Sequence, residues 1–229
     1  RVIHDVKGIV RIRFLTSHPN YFGEELMDTI AELPNVMPHI EVPIQAGDDE
    51  VLANMKRGYT QKEYRDLIEK IRAKIPGCSI ATDIIVGFPG ETDEQFMETY
   101  RVLADLKLDV AHLARYSSRE GTVATRRMID NVSDEEKMHR FRLLEELQEQ
   151  IVAEINKKYL GETVDVLFED KVKNRWKGCT PTNKLVFVES DEDLKGKILP
   201  VTVTWTGPWS MQASLAGVHS QKQLELITV

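Results

Sequence analysis

The sequence predicts an α/β fold followed by a small β-barrel, and three observations carry that reading. Over the first two thirds of the 229 residues, segments of strand periodicity alternate with segments of helix periodicity, which implies βαβ units and a parallel sheet. One long helical pattern then fills residues 133–160. Beyond it, short alternating segments follow one another through turns with no helix between them, the pattern of a small antiparallel barrel. The expected organisation is four parallel strands with their helices over 1–132, a connecting helix over 133–160, and a β-barrel with a C-terminal tail over 161–229. Four strands are too few to close a barrel of their own.

Each element has its own signal. "IVRIRFLT" (9–16) alternates apolar and charged residues as a strand does. "GEELMDTIAEL" places Leu26, Ile30 and Leu33 on one helical face. "HIEVPIQ" is a second strand, and "TQKEYRDLIEKIRAKI" an amphipathic helix with Thr60 and Glu63 as a capping box. "SIATDIIVG" is the third strand. "TDEQFMETYRVLADL" is a helix capped at Thr92 or Asp93, and "DVAHLARYS" is the fourth strand. The alternation is already under way at residue 9, so further units are expected on its N-terminal side. In the long helix, Ser133 and Glu136 form a capping box, Asp134 and Glu135 suit the positive end of the dipole, and Gly161 ends the run. "ETVDVLFED", "WKGCTPT", "LVFVES", "KILPVTVTWT" and "SMQASLAG" are the barrel strands, and "HSQKQLELITV" reads as a tail.

Composition narrows the function classes. With 41% hydrophobic and 29% charged residues the chain reads as an ordinary globular protein, and no apolar run is long enough to span a bilayer. A net charge of -7 argues against a dedicated nucleic-acid binder, although charge can be segregated locally. The two cysteines, Cys78 and Cys179, form no CxxC or CxxxCxxC set, so they read as reduced thiols of a cytoplasmic protein.

The candidate chemistry sits at strand ends, where parallel α/β sheets bind ligands. Asp83 is a carboxylate inside an apolar strand, which needs partners or water; it either faces a ligand or caps a neighbouring loop. Gln45 ends the preceding strand with an amide that both donates and accepts. Arg57 follows in "NMKRGYT" and could equally be a surface guanidinium. Gly87 and Gly90 allow close approach of a ligand or simply make the turn. His18 in "TSHP" reads as a packed or solvated residue before it reads as an acid or base. In the barrel, Trp176, Phe187, Trp205 and Trp209 could stack on bases, with Lys173, Arg175, Lys177, Lys184, Lys195 and Lys197 around them. At least two of the four aromatics are expected to fill the core instead.

Five stretches occur in order: "IRFLTSHP", "VPIQAGDDEVLANMKRGYT", "TDIIVGFPGETDEQF", "YSSREGT" and "TNKLVFVESDEDLKGK" with "GPWSMQASL". Together they resemble the radical-SAM methylthiotransferases, over nearly the whole chain to about residue 217. The likeness is greatest to the bacterial tRNA branch, which adds a methylthio group at C2 of N6-isopentenyladenosine. The ribosomal-protein branch is a weaker match, judged by "TSHP" and "GPWS", and a non-catalytic RNA-binding fragment is the alternative from another class. The resemblance implies the last four βα units of a partial parallel radical-SAM barrel, followed by a TRAM domain, an OB-like barrel that binds RNA. It implies that Gln45, Arg57 and Asp83 hold S-adenosylmethionine, with Gly87, Pro89 and Gly90 shaping the corner against it. It implies tRNA, through its anticodon stem-loop, as the partner, with Lys177, Thr182, Asn183, Lys184, Phe187 and Trp209 as the RNA contacts. The family's 4Fe-4S clusters require cysteines that this sequence lacks, so catalysis by this chain alone is not expected. The sequence also departs from the family pattern at Ala46, Glu120, Cys179 and Gln212; the last two stand where the family has arginine.

Overall fold

The computed structural model describes residues 1–15 and 18–217. The chain divides into two compact units, Arg1–Val152 and Ala153–Val229. Thr16 and Ser17 of "TSHP" and the expected tail over 219–229 lie outside the described residues.

The first unit is built on a parallel sheet of β1 (His39–Glu41), β2 (Ser79–Val86) and β3 (Val110–Arg115), in that order. The side-chain period of two sorts its faces. Ile80, Thr82, Ile84 and Val86 of β2 are buried on one face, whereas Asp83 and Ile85 stay partly open on the other. Helix α3 (Gln61–Lys74) covers the buried face, its Tyr64 hydroxyl donating to the Val42 carbonyl at 2.8 Å and to Thr82 Oγ1 at 3.2 Å. Its capping box is formed by Thr60 and Glu63, as expected. Helix α4 (Asp93–Leu106) starts at Thr92, which forms a second box with Gln95.

The expected strand over 9–16 is reduced, among its described residues, to one parallel bridge between Ile12 and Val36. Val36 lies in the loop before β1 and not in β1 itself, so the ladder has no strand along which to extend. Val10 and Leu15 are correspondingly exposed. Helix α1 (Glu24–Glu32) buries Ile30 as expected, with Met27 in place of Leu26 as its second buried residue. Two short helices were not legible as such: α2 (Asp49–Asn54), whose Asp48 cap reads as a turn, and α5 (Val123–Arg127).

Helix α6 (Asp134–Lys157) is the long helix. Ser133 Oγ accepts from the Glu136 amide at 3.1 Å, but the capping box is only half made. The Glu136 carboxylate turns to Arg140 Nε at 2.8 Å, because a guanidinium outcompetes the Ser133 amide for it. Gln148 ties the helix to the first unit through the Leu108 carbonyl, at 3.0 Å.

The second unit is a closed barrel of β4 (Thr163–Val172), β5 (Arg175–Cys179), β6 (Leu185–Val188), β7 (Ile198–Thr206) and β8 (Met211–Leu215), ordered β4-β5-β6-β8-β7. It is not wholly antiparallel, since the β6–β8 pair that completes it is parallel. The β4–β5 hairpin turns through Lys173 and Asn174, both at positive φ, as a two-residue primed turn requires. Val166, Phe168, Trp176, Val186, Val188, Leu194, Val201, Val203 and Met211 form the core. Of the four barrel aromatics only Trp176 joins it, so the expectation of two fails: Phe187 lies on the outward parity of β6, and Trp205 follows a register shift in β7 that turns it out. No helix among the described residues is long and apolar enough to cross a membrane.

Candidate functional site

The C-terminal end of the sheet brings together three of the predicted residues. After β1 the chain meets Pro43, which has no amide to donate, and rejoins β2 at Gln45. The Gln45 amide donates to the Asp83 carbonyl at 2.8 Å, and the Ile85 amide donates to the Gln45 carbonyl at 2.9 Å. Locked on both sides, Gln45 adopts φ 74°, a left-handed conformation that costs a non-glycine residue about 1 kcal/mol or more. Its buried amide oxygen accepts from Arg57 Nη2 at 3.0 Å. Arg57 is therefore not a surface guanidinium. It is half buried, and its Nε is enclosed with no hydrogen-bond partner. Asp83 does not cap a loop: only its main-chain carbonyl bonds to Gln45, and its carboxylate accepts no hydrogen bond among the described residues. A donor and an acceptor that the protein leaves unsatisfied on neighbouring segments fit a zwitterionic ligand.

Three neighbours of this cluster carry no sequence signal of their own. Tyr59 donates to the Pro43 and Ile44 carbonyls at 3.0 Å, which holds the segment before Gln45. Burial pushes its hydroxyl up to about 12, against the pull of the Arg57 guanidinium, so it remains a donor. His112 is the cross-strand partner of Asp83 on β3 and is exposed. Glu91, just before the helix capped at Thr92, is buried and accepts from the Gly87 amide at 2.7 Å.

The corner after β2 is shaped from within. Gly87 sits at φ 72°, and a Cβ there would fall inside the Lys137 side chain of α6, so glycine is required on two grounds. Pro89 is buried, and the Gly90 amide donates to Asn131 Oδ1 at 2.8 Å. Phe88 shares a buried cluster with Ala46, which follows Gln45, and Tyr59, two residues after Arg57. His18 caps a short turn, accepts from the Asn20 amide at 3.3 Å and lies edge-on to Tyr59, a packing role.

The described residues contain no group of three or more His, Cys, Asp or Glu side chains able to hold a metal ion. Cys78 precedes β2, at the end of the strand opposite the corner, and burial pushes its thiol up to about 11. Cys179 belongs to the second unit. These two thiols do not fit an iron-sulfur cluster.

On the barrel, cross-strand register lines up Lys177 with Phe187, Phe187 with Gln212, and Gln212 with Trp205. Their strand neighbours Trp176, Gly178, Val186, Val188, Met211 and Ala213 point inward, so the row is an outer-face stripe. Arg175 lies over the Phe187 ring at 5.1 Å. Trp205 and Trp209 are 48% and 58% exposed, too much for core residues. Asn156 of α6 holds the turn before Trp209 by donating to the Gly207 and Pro208 carbonyls at 2.8 and 3.1 Å. A groove of about 590 Å³ takes in Phe187, Gln212 and Arg175 and carries Glu189, Asp191 and Glu192 along one side.

Three of the expected RNA contacts, Thr182, Asn183 and Lys184, lie in one turn closed by hydrogen bonds to Thr180. Lys184 has the parity of the inward residues Val186 and Val188 and is buried. Thr182 bonds to Tyr159 and Thr180 at 3.1 and 3.0 Å. Asn183, at φ 63°, is the exposed tip of that turn.

Residues 1–103 match the Radical SAM superfamily profile and residues 157–216 match the TRAM domain. The chain is 50% identical over 219 residues to the tRNA-2-methylthio-N(6)-dimethylallyladenosine synthase of Roseiflexus sp. (strain RS-1), covering 94% of this chain and 46% of the relative. It is 45% identical over 216 residues to the protein of the same name from Dehalococcoides mccartyi (strain CBDB1), covering 94% and 52%. The chain thus spans about half the length of these curated relatives. Among solved structures, coproporphyrinogen III oxidase from Escherichia coli, a radical SAM enzyme, aligns with 71% of this chain and 45% of its own at a TM-score of 0.50 and 14% identity, a likeness of fold alone.

Proposed function

For a chain that belongs to the radical SAM superfamily and carries a TRAM domain, we propose a part in tRNA methylthiolation. The reaction adds a methylthio group to C2 of N6-isopentenyladenosine in the anticodon loop, and the names of relatives 45–50% identical support it. S-adenosylmethionine, when bound, supplies the methyl group and, with a reduced iron-sulfur cluster, the radical. This chain's residues hold it. Arg57 pairs with its carboxylate, and Asp83 accepts from its amino group or ribose hydroxyls. Gln45 orients Arg57, and the Gly87–Gly90 corner walls the cofactor. The outer stripe of the barrel takes RNA: Phe187 and Trp205 stack on bases while Lys177 and Arg175 meet phosphates. The cluster thiolates must come from outside residues 1–229.

The observation that carries the reading is the buried, unpartnered Arg57 Nε on a side chain bonded to Gln45, whose main chain pairs with Asp83. Calorimetric titration with S-adenosylmethionine tests it. Binding is expected to be weak, and Arg57→Ala is expected to weaken it by about tenfold or more. Unchanged affinity in that variant removes Arg57 from the site. Titration with an anticodon stem-loop and with a ribosomal-protein peptide separates the two substrate classes.

A further inference from the structure

The geometry points to Arg140 and Glu91 as a positioning pair for the cofactor corner, an inference that rests on the S-adenosylmethionine reading above. Both side chains are almost wholly buried, 4% and 1% exposed. Arg140 Nη1 donates to the Glu91 carboxylate at 2.8 Å and to the Glu91 carbonyl at 3.1 Å. Its Nη2 reaches Asp93 at 2.5 Å, and its Nε reaches Glu136. The same Glu91 Oε2 that takes Arg140 also accepts the Gly87 amide. One carboxylate oxygen therefore joins α6 to the first residue after β2.

What the pair fixes follows from the packing. Gly87 is held at positive φ with Lys137 against it, so the corner backbone cannot relax toward α6. Phe88 projects from the corner into the cluster that contains Ala46 and Tyr59. Tyr59 clamps the carbonyls before Gln45, and Gln45 orients Arg57. Arg140 touches none of the ligand-facing groups. It acts through Glu91 on the corner, and through Phe88 on Gln45 and the Arg57 it orients.

A purely structural ion pair predicts something different. Replacing a buried ion pair by apolar side chains of similar volume commonly leaves stability intact. The variant Glu91→Met with Arg140→Met should therefore unfold within about 3 °C of the parent. It nonetheless removes the acceptor of the Gly87 amide. On this inference S-adenosylmethionine binding by calorimetry falls about tenfold or more, as small displacements of binding groups do. The Gly87 amide, followed by hydrogen exchange, loses its protection. Arg140→Lys keeps the charge without the fork and gives an intermediate affinity.

Arg57→Ala is measured alongside. If Arg57→Ala loses binding while the double Met variant binds like the parent, the positioning role is overturned and the cofactor site stands. If Arg57→Ala binds like the parent, or the parent does not bind, the site reading itself fails and the positioning role fails with it. Should the double Met variant not fold, Arg140→Lys decides: parental affinity with a deprotected Gly87 amide overturns the inference, and reduced affinity supports it.

Discussion

The two units handle their polar side chains in opposite ways. In the sheet unit the candidate site is made of buried or half-buried groups that hold one another: Gln45 locked to β2, Arg57 on Gln45, Glu91 under Arg140. In the barrel the candidate contacts stand on the outward parity of strands whose inward residues make the core. Substitutions in the first unit that strand one buried partner should therefore disturb stability and binding together, whereas those on the barrel stripe should alter binding alone.

The largest expected effect tests the first half of that contrast. Arg140→Met alone strands the Glu91 carboxylate in the interior and should cost about 3–5 kcal/mol in denaturant unfolding of the chain. A loss below about 1 kcal/mol would mean that water reaches Glu91 and that the corner is not buried as described.

A smaller effect is expected on the barrel. Phe187→Ala should weaken binding of an anticodon stem-loop by about 1–3 kcal/mol, with the unfolding midpoint unchanged. A drop in the midpoint would show that Phe187 supports the core after all.

The smallest effect is a gain. Gln212 lies at the middle of the stripe, between Phe187 and Trp205. Gln212→Arg should tighten RNA binding and steepen its salt dependence by about one unit of log K against log salt. An unchanged slope would place the phosphates elsewhere on the barrel.

Strong local signals were readable from the sequence. The capping boxes at Thr60 and Thr92, the strand around Asp83 and the positions of the barrel strands along the chain follow from side-chain period and cap chemistry, which neighbouring residues decide. Gln45, Arg57 and Asp83 stood out through the resemblance and not through their spacing alone. What was not readable depended on distant partners. The half-made box at Ser133 yields to Arg140, a residue on the next turn with three other acceptors. Lys184 turns inward because of its parity relative to Val186, which no charge count reveals. Glu91 carries no local signal of its role, because its partner Arg140 lies 49 positions away.

Helix α6 also bears on how such proteins can be recombined. Its sequence reads as a connector, and a splice at residue 132 would treat it as one. Yet Lys137, Arg140 and Gln148 are spent on the sheet unit, and only the last turns, from Ala153 onward, go with the barrel. A barrel exchanged between relatives with the junction at 132 would import a foreign Arg140 to face a resident Glu91. With the junction near 152, each half keeps its own partners, so the heritable module is the sheet together with five turns of the helix that follows it.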